Sequence, residues 1–145
     1  MTTVRRTFTV SPTPDVVIDY LKEFSHAEEW DPGTQRCTRL DQGPVRRGST
    51  WRNESKIAGI STELTYELTE LGTDRLVFVG RNETATSTDT ITVVPRGGGS
   101  EVTYEAVITM NGAAKLTAPA VKLVFEKVAN DTEKQMTEVL DRLAV

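Results

Sequence analysis

The feature that most restricts the fold of this chain is a change of hydrophobic period in its last thirty or so residues. Val121, Val124, Phe125, Val128, Thr132, Met136, Val139, Leu140 and Leu143 recur at intervals of three and four, while Lys122, Glu126, Lys127, Asp131, Lys134, Glu138 and Arg142 take the other side. This spacing predicts one long amphipathic helix. Counted from Ala118 to Leu143 it extends about 39 Å at 1.5 Å per residue, so its apolar stripe needs an equally long surface to lie on. Pro119 fits the first turn of that helix, with Thr117 as N-cap, in preference to a kink in a helix begun near Gly112.

Upstream the period is two. Val4, Phe8 and Val10 alternate with Thr3, Arg5, Thr7 and Thr9, a half-buried strand in which Arg6 interrupts the apolar side. Ser11-Pro12-Thr13-Pro14-Asp15 then combines capping residues and prolines ahead of Val16, Val17, Tyr20, Leu21 and Phe24, which predicts a short helix. A second short helix is expected from Ser25 to Trp30, with Ser25 and Glu28 as a capping box and Asp31-Pro32-Gly33 as its end.

From Thr34 to Asn111 turn signals divide the chain into six strands, for which a meander of hairpins is the natural topology. Thr84, Thr86, Thr88, Thr90 and Thr92 share one parity, and threonine suits a solvated sheet face. Ala85, Ser87, Asp89, Ile91 and Val93 then point inward. The corresponding inner sets are Trp51, Asn53, Ser55 and Ile57; Thr62, Leu64, Tyr66 and Leu68; Leu76, Phe78 and Gly80; and Val102, Tyr104, Ala106, Ile108 and Met110. A single β-bulge inverts part of any such set. The expected fold is α+β: a seven-stranded curved antiparallel sheet around the long C-terminal helix, with two short helices between strands 1 and 2. Residues 1–145 are expected to form a single domain, since no repeat or linker divides them.

This order of elements, with Glu29-Trp30-Asp31-Pro32-Gly33 after the first helix and the strand Thr88-Asp89-Thr90-Ile91-Thr92-Val93, resembles the START-like or birch-pollen-allergen-like superfamily, in particular its polyketide cyclase/dehydrase branch. The likeness covers nearly the whole chain. It implies a helix-grip fold and a cavity between sheet and C-terminal helix, opening here around Gly112, Ala113, Ala114 and Leu116. Members of the superfamily include lipid binders, hormone receptors, aromatases, cyclases and cochaperone-like proteins, so the resemblance carries the fold further than the function.

Strand parity assigns the cavity a wall of Trp51, Asn53, Ser55, Leu64, Tyr66, Phe78, Ser87, Ile91, Tyr104, Ile108 and Met110, with Val121, Val124, Phe125 and Val128 as its lid. A filled core has a similar composition. The small or polar inward positions Ser55, Thr62, Gly80, Ala85, Ser87 and Ala106 favour a cavity, because packed interiors rarely leave such voids. Asp89 is an inward carboxylate in mid-strand, so it is either paired or shifted upward in pKa, conditions that suit a general acid or base and equally a structural pair. Arg6 is the only basic residue of the first strand with inward parity; it is placed to pair with Asp89, to hold a ligand carboxylate or enolate, or to carry its charge out to the rim. The hydroxyls of Tyr66 and Tyr104 complete the candidate catalytic set, able to orient or protonate a carbonyl oxygen.

Other chemistries find no support. His26 is the only histidine and Cys37 the only cysteine, so neither a metal site, a disulfide framework nor a catalytic thiol is expected. Gly97-Gly98-Gly99 lacks the Gly-Lys-Ser/Thr ending of a phosphate loop, and no cofactor is implied. Seventeen basic and twenty-one acidic residues give a net charge of -4, which argues against nucleic acid as a partner. Without an apolar leader or span, membrane insertion and export are not expected, and a reducing cytoplasm fits best. Three functions remain: binding of an apolar or aromatic small molecule, cofactor-free cyclisation, aromatisation or dehydration of a polyketide, and a cochaperone-like interaction module.

Overall fold

The computed structural model describes residues 1–111 and 119–144. Strand β1 (Thr2–Val10) leads into α1 (Pro14–Leu21), a 3-10 turn (Phe24–His26) and α2 (Ala27–Trp30). Six strands follow: β2 (Thr34–Arg39), β3 (Thr50–Ile57), β4 (Ile60–Leu71), β5 (Arg75–Arg81), β6 (Ala85–Arg96) and β7 (Gly99–Met110), and then α3 (Pro119–Asp141). All seven strands join one antiparallel sheet in the order β1-β7-β6-β5-β4-β3-β2. This is the expected helix-grip arrangement. The anticipated opening at Gly112, Ala113, Ala114 and Leu116, and the Thr117 cap, lie outside the described residues.

The parity reading holds on β6, where Ser87, Asp89, Ile91 and Val93 are buried and Thr86, Thr88, Thr90 and Thr92 are only partly covered. On β4 the register shifts between Leu68 and Glu70, so that Leu71, three positions after Leu68, also packs on the core. The capping box expected at α2 does not form. Glu23 instead accepts the Ser25 amide, and Glu28 reaches across to the Cys37 amide of β2 at 2.8 Å.

One end of the sheet is filled. Val17 and Leu21 of α1 and Phe24 of the 3-10 turn pack on Trp51, Leu68, Leu76, Phe78, Ile91 and Val93, with Met136 and Leu140 of α3 closing the other side. Phe24 lies 4.5 Å from Phe78 and 6.1 Å from Trp51, and Trp51 meets Phe78 nearly edge-on at 72°. Each such side chain contributes about 1.5–3 kcal/mol by leaving water, so this cluster is the main source of stability. The Trp51 indole donates to Glu23 Oε2 at 2.6 Å, which ties the α1 segment to the sheet by a charge-assisted hydrogen bond. The C-terminal half of α3 is tied down here too: Gln135 donates to the Glu29 carbonyl at 2.8 Å, and Asp141 accepts the Ser11 amide at 2.9 Å.

Candidate functional site

Beyond the filled end, sheet and helix enclose a cavity of about 460 Å³, within the range of small-molecule sites. The inward residues that surround it are mostly small or aliphatic: Ser55, Thr62, Leu64, Ala85, Ala106, Ile108 and Met110 from the sheet, and Val124, Val128 and Ala129 from α3, beside Phe125. Where the filled end receives α1, this end receives no such plug from the described residues. The β3–β4 hairpin borders it, where Ala58 and Gly59 turn the chain with φ of 51° and 80°, and Ile60 stands 69% exposed. A groove of about 520 Å³ outside, between Pro32-Gly33 and α3, shares Ile57, Ala58, Val124 and Val128 with it.

A polar belt separates the hollow from the filled end. Asp89 stands on β6 opposite Phe78 of β5 and Ala106 of β7, and is 4% exposed. Ser87 Oγ donates to its Oδ1 at 2.8 Å and Tyr104 Oη to its Oδ2 at 3.0 Å. Burial pushes the Asp89 carboxyl up to about 6, against the two hydroxyl donors, and the nearby charge of Asp31 pushes in the same direction. Tyr66 lies across β4–β5 from Gly80, and a Cβ there would stand 2.6 Å from its ring, so glycine is what lets the tyrosine lie flat over the sheet. Burial drives both tyrosines well above the usual phenol range, with the Asp89 charge adding to it. Asn53 closes the belt and donates to Thr34 Oγ1 at 3.0 Å.

Asp31 is the residue that sequence reasoning missed. Its sequence context marks only the end of α2, yet it lines the cavity, held by the Thr34 hydroxyl at 2.8 Å and the Gly33 amide at 3.1 Å. Burial raises its pKa while these two donors oppose the rise. The signal was present in the Asp-Pro-Gly sequence, whose first residue commonly turns its carboxylate back on the following amides.

Of the expected wall and lid, Asn53, Ser55, Leu64, Tyr66, Ser87, Tyr104, Ile108, Met110, Val124, Phe125 and Val128 do border the cavity, as does Asp89. Trp51, Phe78 and Ile91 do not: each is fully enclosed in the filled cluster, because their strand positions lie on the far side of the polar belt. The Val121 side chain lies outside what is described. The anticipated Arg6–Asp89 pair is also absent. Arg6 neighbours Tyr104 across β1–β7 but extends to α3, where it donates to Asn130 Oδ1 at 2.8 Å and to Glu126 Oε2 at 3.2 Å. A guanidinium finds a solvated carboxylate there without being desolvated in the cavity. Cys37 is buried on the edge strand β2, and burial pushes its thiol up to about 12, as suits a packing residue.

The family described as polyketide cyclase / dehydrase and lipid transport matches residues 1–145. No curated protein sequence matches the chain. Among solved structures, a START superfamily protein from Mycobacterium smegmatis superposes with a TM-score of 0.81 at 15% identity, covering 97% of this chain and 98% of that one. The Zhui aromatase/cyclase from a Streptomyces species gives 0.75 at 15% identity over 98% and 92%. A ginseng major latex-like protein from Panax ginseng gives 0.73 at 13% identity over 95% and 96%. At these identities the likeness is one of fold. Among the described residues, no helix is long and apolar enough to cross a membrane.

Proposed function

The chain belongs to the polyketide cyclase/dehydrase and lipid transport family, and from that premise we propose that it binds an apolar or aromatic small molecule between the sheet and α3. The observation that carries this reading is a cavity of about 460 Å³ with a largely apolar wall and one polar floor, Asp89, Tyr104, Tyr66 and Asp31. Such a site buries the body of a ligand for affinity and fixes one polar group for orientation. Native mass spectrometry of protein purified from its own host tests it. A co-purified apolar molecule is expected, and Ser55→Phe, which fills the space from β3, should expel it. Protein that is empty and takes up no apolar probe would remove the reading.

Asp89 favours a second reading, a cofactor-free cyclase or dehydratase. A carboxylate with a pKa of about 6 accepts a proton efficiently near neutral pH, and the Tyr104 hydroxyl, which donates to Asp89, can turn to a developing enolate oxygen once Asp89 is protonated. The test is proton–deuterium exchange at the central carbon of a β-diketone, followed by NMR. Under this reading the protein accelerates exchange, and Asp89→Asn abolishes it while the diketone still binds. Exchange at the same rate in both proteins would remove it.

A further inference from the structure

The hydrogen-bonding inventory of the cavity floor says more about the ligand than its size does. Two carboxylates, Asp31 and Asp89, face the same cavity, and no Lys, Arg or His is among the described residues that line it. The nearest inward-parity cation on the sheet, Arg6, is engaged with Glu126 and Asn130 on α3. Most donors of the floor are committed, the Tyr66 hydroxyl being the exception. The single hydroxyl proton of Ser87 goes to Asp89 Oδ1, that of Tyr104 to Asp89 Oδ2, and that of Thr34 to Asp31 Oδ2, while an Asn53 amide proton goes to Thr34. Each carboxylate oxygen can accept more than the one hydrogen bond it receives, while among these floor hydroxyls only that of Tyr66, 7% exposed, keeps a proton not given to a neighbour. The floor is rich in acceptors and poor in donors. Aromatic rings of Tyr66, Tyr104 and Phe125 stand around it.

We infer that the ligand is an apolar cation, a protonated amine or amidine on a hydrocarbon or aromatic body, whose head sits between Asp31 and Asp89. This rests on the cavity-binding reading above and narrows it. An ammonium group brings three donors and no acceptor, which complements this floor, whereas a carboxylate head would bring acceptors and like charge to a site already carrying both. The ring faces add cation–π attraction. Burial of the two carboxylates, costly in the empty protein, is offset when the cation arrives.

Binding of decylamine, decanol and decanoate, three probes of equal chain length, measured calorimetrically at pH 7.5 below their aggregation concentrations, separates this inference from its premise. The expected order is amine, alcohol, carboxylate, with the amine at least about tenfold tighter than the carboxylate. Asp89→Asn and Asp31→Asn should each lower the amine-to-alcohol affinity ratio, by about tenfold if one charged contact is lost. The first variant removes a buried charge, so folding is not at risk in it. Decanol binding with no preference for the amine, or a preference that survives both substitutions, overturns the inference and leaves the cavity reading standing. Failure of all three probes to bind overturns both.

Discussion

Met136 and Leu140, in the C-terminal half of α3, are fully enclosed by aromatic and branched side chains, whereas Val124 and Val128, about 18 Å away along the same helix, face open space. The two regions share a sheet, a helix and the same alternating strand pattern. What differs is what enters from outside. The α1 segment brings Val17, Leu21 and Phe24 under the sheet at one end, and among the described residues nothing comparable reaches the other. Among the described residues the hollow is therefore made by withholding a plug as well as by choosing small residues. Stability is concentrated where the cavity is not.

The largest expected effect tests that division directly. Met136→Ala should cost about 2–5 kcal/mol, as deletions in tightly packed cores do, while Val124→Ala should cost about 1 kcal/mol or less because few neighbours lose contacts. Urea unfolding of the pair measures the contrast, and equal losses would break it.

Next comes Asp89→Asn. The folded-state pKa of about 6 lies above the ordinary 3.8, so ionisation is harder in the folded protein. The stability contributed by the protonated form is fully present below about pH 4 and is lost as pH rises through about 6. Asparagine has no such loss, so the variant should match the parent near pH 3.5 and exceed it by about 2–3 kcal/mol at pH 8, given 1.36 kcal/mol per pKa unit. Unfolding free energies across that pH range check the sign; a variant less stable at pH 8 would show that the belt is structural glue and not a site held at a cost.

A smaller effect is expected at the boundary. Gly80→Ala places a methyl 2.6 Å from the Tyr66 ring, and overpacking of this kind costs about 1–3 kcal/mol. Urea unfolding gives the magnitude, and near-ultraviolet circular dichroism should register the displaced tyrosine. An unchanged spectrum would mean that Tyr66 has room to move and does not define the floor.

The sequence was a reliable guide to direction and a poor one to depth. Period two told which residues of β6 face inward, and the threonines on its other parity made the assignment secure. It could not tell Ile91 from Ser87, which share a face and fall on opposite sides of the polar belt. Trp51 and Phe78 were assigned to the cavity for the same reason, since their enclosure depends on where Phe24 lands, a contact made across the whole fold. Arg6 was read correctly as inward but its partner came from α3, more than a hundred residues away, where local pattern carries no information. Asp31 was hidden by its own plausibility as a helix stop.

The ties at the C-terminal half of α3, from Gln135 to the Glu29 carbonyl and from Asp141 to the Ser11 amide, have a consequence for how such a chain can diverge. They fasten the helix at the end that carries the folding energy and leave Leu123, 70% exposed, and its neighbours with little part in that energy. Substitutions around Val124 and Val128 thereby reshape the cavity wall at little cost in stability, whereas those around Met136 and Leu140 decide whether the protein folds at all. A lineage built on this plan can explore new chemistry at one end while its survival is insured at the other.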